Sequence, residues 1–202
     1  KVVTHHWGGH WLKGFDIYQK LDQMLSEEKW RQQLEFTYIG RVPKGFRFTY
    51  ARHLQPLSGT ALADELRRHH IYLTASQNEP AGMHHIEGAM CGLPVLYRSS
   101  GGLPDYCEGF GLSFYGDDFT EKLIGIMKSY DYWSERVSQY PFTAKRMSNE
   151  YMKLFTELVD RRAQIVSKRE ARPAIDIRRI GLNALFRRYR ATVAALRSNF
   201  YR

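Results

Sequence analysis

At 202 residues the chain is long enough for one α/β domain with a sizeable core and marginal for two. Its 43% hydrophobic and 14% aromatic content excludes wholesale disorder, and no apolar run reaches the ~20 residues of a transmembrane helix. The net charge of +9 is concentrated: residues 166–202 carry ten Lys/Arg against two acids, so residues 1–165 are nearly neutral and the two parts need separate explanations.

In chain order, residues 1–4 form a short apolar strand, followed by a loop of His, Trp and Gly from His5 to Trp11. Asp16 is placed to cap a helix that carries Ile17, Leu21, Met24 and Leu25 on one face. Residues 36–42 and 47–51 read as strands, and Gly59 and Thr60 open a helix running to Arg68. Residues 71–75 form a strand. A helix then covers 84–91, starting near Gly82 and closed by Gly92. Residues 93–97 form a strand, Gly101 and Gly102 turn into a short helix over 104–108, and 112–115 is the last strand. Helices fill 119–130, 132–139 and 142–166. This alternation predicts an α/β fold: a single Rossmann-like domain over residues 1–165 with a mostly parallel sheet covered on both faces. Such sheets bind ligands beyond the carboxyl ends of their strands. Beyond Val166 the composition turns basic and Pro173 interrupts it. Residues 180–200 then read as a helix within a C-terminal extension spanning 166–202.

The chemistry concentrates between Ser76 and Val95, in SQNEPAGMHHIEGAMCGLPV. Ser76, Gln77 and Asn78 form the loop at a strand's carboxyl end; Glu79 precedes the next helix and Glu87 lies on it. Backbone N–H groups of Ala81, Gly82 and Met83 sit at that helix's start, where unpaired amides and the helix dipole favour an anion such as a diphosphate. Carboxylates accept from hydroxyls, so Glu79 and Glu87 on either side of the anion site would bracket a nucleotide sugar. On the bland reading both are solvated helix residues.

These residues resemble the carboxy-terminal signature of the family-4 retaining glycosyltransferases, which have the GT-B fold. Ser76 and Glu79 match its Ser-x-x-Glu. Glu79 and Glu87 match its Glu-x7-Glu, and Gly92, Pro94 and Val95 follow at the family's offsets. Gly101, Gly102 and Asp105 match its Gly-Gly-x-x-acid turn, and Lys13-Gly14 its phosphate-binding Lys-Gly. The resemblance covers roughly residues 1–165 and implies one half of a GT-B fold that binds a nucleoside-diphosphate sugar, UDP- or GDP-linked. It implies a hexosyltransferase, with a glycan or lipid-linked acceptor, no cofactor and no required protein metal site. By resemblance, Glu79 contacts the donor sugar, Glu87 holds the ribose hydroxyls, and Lys13 offsets charge on the leaving diphosphate, which departs from the face the acceptor attacks. The sequence departs from the pattern where the family has an Arg about five residues before the Lys. Trp7-Gly8-Gly9 stands there, so one phosphate cation is either missing or replaced, with His10 and Arg98 as the candidates. Pro80 replaces a common Gly, and the amino-terminal acceptor domain has no counterpart. The chain, which starts without Met, therefore reads as an excised fragment that is inactive alone. The competing reading is a non-catalytic donor-binding or interaction module that works with a separate acceptor-binding chain.

Other chemistries fare worse. His5, His6, His10, His84 and His85 invite a metal reading, but adjacent pairs point different ways on a helix and no metal site is expected. Neither a Walker loop nor a dinucleotide fingerprint is present. A glycoside hydrolase is disfavoured, because eight helical residues rise ~12 Å, beyond the ~5–9.5 Å carboxyl spacing such enzymes use. Cys91 and Cys107 lack metal-ligand spacing, and no signal-type apolar segment opens the chain, so a cytoplasmic location is expected. In residues 180–200, Leu182, Leu185, Phe186, Tyr189, Val193, Leu196 and Phe200 recur at helical spacing beside Arg187, Arg188, Arg190 and Arg197. This segment suits either packing on protein or peripheral binding to anionic lipid at the inner membrane face. No nucleic-acid-binding module is recognisable.

Overall fold

The computed structural model describes residues 1–170; the basic segment 180–200 therefore lies outside the described residues. Compact packing divides the chain into two units, residues 1–147 and residues 148–202.

The first unit is built on strands β1 (Val2–His6), β2 (Phe36–Gly40), β3 (Arg52–Leu54), β4 (Ile71–Thr74), β5 (Val95–Arg98) and β6 (Gly111–Phe114). They form one sheet in the order β3-β2-β1-β4-β5-β6, and every pairing is parallel. Parallel neighbours need crossovers; helices α1 (Phe15–Met24), α2 (Glu28–Arg31), α3 (Gly59–Leu66), α4 (His84–Met90) and α5 (Leu103–Cys107) supply all but the β2–β3 connection, which is a loop, and α6 (Phe119–Lys128) and α7 (Tyr130–Val137) follow β6. Alternate strand residues face opposite sides, so the sheet has two apolar layers. Val2, Phe36, Tyr38, Ile71 and Leu73 pack with Phe15, Tyr18 and Leu21 of α1 on one side. Val3, Ile39 and Tyr72 pack with Leu62, Leu66, Ile86 and Ala89 of α3 and α4 on the other. The α/β, Rossmann-like reading holds, with a fully parallel sheet.

Several local expectations are corrected. Residues 47–51 are a loop, and the strand follows at Arg52–Leu54. The reason is Asp22: its carboxylate, buried on α1, accepts the N–H groups of Thr49, Tyr50 and Ala51 at 2.8, 2.8 and 2.7 Å, which a sheet ladder would otherwise use. Asp16 is not the cap of α1. Gly14 holds that place in the left-handed region (φ 100°), and Asp16 pairs with Arg98 instead. β1 continues through His5 and His6 rather than ending at Thr4.

The second unit is entered within α8 (Ala144–Asp160), and α9 (Arg162–Glu170) follows a break at Arg161. On α8, Tyr151, Leu154, Phe155 and Leu158 recur at helical spacing and are all exposed. No helix among the described residues is long and apolar enough to cross a membrane.

Candidate functional site

β1 and β4 are neighbours in the sheet, and the chain runs outward to β2 on one side and β5 on the other. This reversal of strand order is where an open parallel sheet forms its ligand crevice. A cavity of about 230 Å³ opens there, lined by His5, His6, Trp7 and Gly8 after β1, by Lys13, and by Gly82, Met83, His84 and Glu87 at the start of α4.

Lys13 ends a single 3₁₀ turn (Trp11–Lys13), and Gly14 redirects the chain into α1. Gly14 lies so close to Ala75 that a Cβ would overlap it, so the Lys13-Gly14 pair is pressed against the carboxyl end of β4. From there Lys13 Nζ donates to Glu79 Oε2 at 2.6 Å. The loop carrying Glu79 is fastened at three points. Gln77 N–H donates to Leu12 O at 2.7 Å, Asn78 N–H to Ser100 Oγ at 2.9 Å, and Gly102 N–H to Glu79 O at 2.8 Å. Gly101 (φ 60°) and Gly102 approach the Glu79 and Pro80 backbone too closely for a Cβ. The Gly-Gly turn is thus a clamp on the loop that holds Glu79.

Glu87 projects from the first turn of α4 and is half-exposed. Its Oε2 lies 2.7 Å from His5 Nε2, and this hydrogen bond, the largest influence, holds its carboxyl below the usual range. Met83 caps α4, and among the described residues no acceptor takes the N–H groups of Gly82, Met83 or His84. The cavity thus presents free amide donors and a lysine between two carboxylates, the donor pattern an anion with attached hydroxyls requires.

The floor is histidine-rich. His6 Nε2 is 2.7 Å from the Tyr18 hydroxyl, and His84 Nε2 is 2.8 Å from Thr74 Oγ1. Burial, reinforced by neighbouring positive groups including Lys13, lowers both imidazoles well below their ordinary range. Burial also pushes His85 down to about 4. Among the described residues no group of three or more His, Cys, Asp or Glu is arranged to hold a metal ion.

The sequence-predicted residues divide. Lys13, Gly82, Met83 and Glu87 line the cavity, and Glu79 reaches it through Lys13. Ala81 is exposed beside it, outside the lining. Ser76 is fully buried under the loop, its hydroxyl without a partner among the described residues. His10 is exposed before the 3₁₀ turn, outside the lining but with its ring against Gly8, which is part of it. Arg98 ends β5, pairs with Asp16 and stacks over the Phe114 ring. Sequence reasoning did not assign His5, His84 or Tyr72. Extending β1 by two residues would have found the first, since it puts His5 at the carboxyl end of a central strand.

No protein-family model and no curated protein sequence matches the chain. Solved structures do. The catalytic domain of starch synthase IV from Arabidopsis thaliana, bound to ADP and acarbose, is similar at 18% identity and a TM-score of 0.59, over 79% of this chain and 38% of that one. The pneumococcal O-GlcNAc transferase GtfA, in complex with UDP and GlcNAc, is similar at 16% identity and a TM-score of 0.60, over 78% and 35%. The C-terminal domain of a glycosyl transferase group 1 family protein (LpcC) from Francisella tularensis matches at 14% identity and a TM-score of 0.54, over 69% of this chain and 80% of that domain. The chain spans well under half the length of the first two. A six-stranded parallel sheet that matches these proteins over most of this chain has the fold of one Rossmann-like half of a GT-B glycosyltransferase.

Proposed function

We propose that the chain is the donor-binding domain of a retaining glycosyltransferase, which moves a sugar from a nucleoside-diphosphate sugar to a glycan or lipid-linked acceptor. One observation carries this reading: Lys13, Glu79, Glu87 and the free amides before α4 converge on one cavity at the strand-order reversal. The diphosphate sits against the amides of Gly82, Met83 and His84. Glu87 accepts from the ribose diol, and Glu79 faces the donor sugar.

The division of labour follows from charge. As the glycosidic bond breaks, negative charge grows on the leaving diphosphate. A cation beside it gains more in the transition state than in the ground state. Lys13 is that cation, and its ammonium is paired with the Glu79 carboxylate. A diphosphate that draws Lys13 away frees the Glu79 carboxylate for sugar hydroxyls, so nucleotide arrival and carboxylate release are linked. The neighbours bound to ADP and to UDP with GlcNAc support a nucleotide as the kind of ligand.

Calorimetry of the 202-residue chain against UDP, GDP and ADP tests the proposal. One of the three is expected to bind, and Glu87→Ala to weaken it at least about tenfold, the scale of a lost hydrogen bond to a charged group. Binding of none of them by a folded chain overturns the reading.

A further inference from the structure

Glu87 is the residue on which nucleotide recognition rests in the reading above, yet its side chain is half-exposed at a helix surface. A free glutamate there has three rotatable bonds and no fixed carboxylate plane. The structure supplies a fixing partner from the opposite side of the crevice, 82 residues earlier in the chain.

His5, buried at the end of β1, places Nε2 2.7 Å from Glu87 Oε2. Its other ring nitrogen, Nδ1, is 3.0 Å from the hydroxyl of Tyr72. Tyr72 is fully buried on β4, and its hydroxyl oxygen also accepts the backbone N–H of His5 at 3.3 Å. Proton bookkeeping then fixes the direction of each bond. The amide can only donate, so it occupies a lone pair of the Tyr72 oxygen. Burial raises Tyr72 well above the ordinary phenol range, so the hydroxyl keeps its proton. Thr4 also hydrogen-bonds this hydroxyl, and on His5 two acceptors are within reach of its proton: Nδ1 at 3.0 Å and the carbonyl at 3.5 Å. The nearer is Nδ1. A neutral imidazole that accepts at Nδ1 carries its hydrogen on Nε2, and Nε2 faces the carboxylate.

We propose that Tyr72 and His5 are positioning residues for Glu87: Tyr72 selects the Nε2–H tautomer of His5, and His5 holds Oε2 of Glu87. The other carboxylate oxygen, which has no partner among the described residues, is left to the ligand's ribose diol. The proposal rests on the donor-site reading for the diol, and on the structure alone for the tautomer. It gives the site selectivity for ribonucleotides over their 2′-deoxy counterparts, because a held carboxylate cannot swing to compensate for a missing hydroxyl. The chain Tyr72–His5–Glu87 crosses from β4 through β1 to α4, so its geometry is set by the sheet register rather than by any local motif.

Two measurements test it separately. Nitrogen-15 NMR of the histidine rings in the full 202-residue chain reads the tautomer without any nucleotide. His5 is expected as the Nε2–H form, and Tyr72→Phe is expected to release that preference. A parent His5 carrying its hydrogen on Nδ1 overturns the proposal whether or not nucleotides bind. The second uses whichever of UDP, GDP or ADP the parent binds, with the matching 2′-deoxynucleotide. His5→Leu is expected to lose roughly tenfold in affinity and most of the ribo-over-deoxy preference, while His5→Gln, which keeps an N–H donor at similar reach, recovers most of both. Circular dichroism and thermal unfolding confirm that each variant is folded. A folded His5→Leu with parental affinity and preference overturns the proposal. So does a folded His5→Gln no better than His5→Leu, since that marks the ring as packing alone. If no nucleotide binds, the donor-site reading fails and the ring spectra still decide the relay.

Discussion

Lys13 is the lysine of the cavity lining, where burial holds His6 and His84 neutral, and in the proposed function it stands beside the leaving diphosphate. In an active enzyme that includes the acceptor side, Lys13→Ala is expected to lower kcat by ~10²-fold or more at saturating donor, the scale of removing one transition-state donor. Lys13→Arg keeps the charge, but its planar fork does not reproduce a compact ammonium, so turnover is expected to fall between the two. Near-parental kcat for the alanine variant removes Lys13 from the chemistry. That Lys13, Glu79 and Glu87 meet at one crevice was legible because each is fixed by its neighbours in sequence: a glycine after the lysine, a strand end before one glutamate and a helix start before the other. The contacts of His5, Tyr72 and His84 were not legible, because they come from the pairing of β1 with β4 and its packing with α4.

At the scale of elements, Asp22 shows how one carboxylate decides between loop and strand. It is 5% exposed and satisfies three consecutive amides. Asp22→Ala leaves those amides without their acceptor, and hydrogen bonds to a charged group are worth roughly 1.5–3 kcal/mol each. Urea unfolding is expected to show a loss of about 3 kcal/mol or more; a change under 1 kcal/mol means that water replaces the carboxylate fully. Strands β1, β2, β4, β5 and β6 were readable from apolar runs flanked by glycine and polar turns. The stretch from Arg47 to Ala51 was misread because its apolar and aromatic residues, Phe48 among them, pack on the α1 layer from a loop. The break at Arg161 between α8 and α9 left no mark in the hydrophobic pattern.

For the whole molecule, the histidine floor ties stability to pH. His6, His84 and His85 all titrate lower in the folded chain than the ordinary value of about 6.5. Below that value the unfolded chain binds protons that the fold refuses. Their contribution is therefore fully present above about pH 6.5 and is lost as pH falls toward the folded values, about 4 for His85. Each such group adds about 1.4 kcal/mol of lost stability per pH unit over that window. Urea midpoints at pH 7.5, 6.0 and 5.0 are expected to fall increasingly steeply, and His85→Gln to flatten the slope; equal midpoints contradict the assignment. On function, the 202-residue chain is expected to bind a nucleoside diphosphate and to transfer no sugar by itself, since it spans 38% and 35% of the starch synthase and O-GlcNAc transferase chains. Sustained transfer to a glycan or lipid acceptor by this chain alone is the contrary result.

The Gly-Gly clamp has a use beyond holding Glu79. Gly102 N–H is bonded to the carbonyl of Glu79 itself, so it can exchange with solvent only when the two loops separate. Glycine amides resonate apart from most others, which makes this one hydrogen a built-in gauge of active-loop opening. Its exchange rate measures the free energy of that opening directly. A nucleotide that engages the loop should slow the exchange in proportion to its occupancy, and one that binds elsewhere should leave it untouched. A single peak thus separates ligands of this crevice from ligands of the surface.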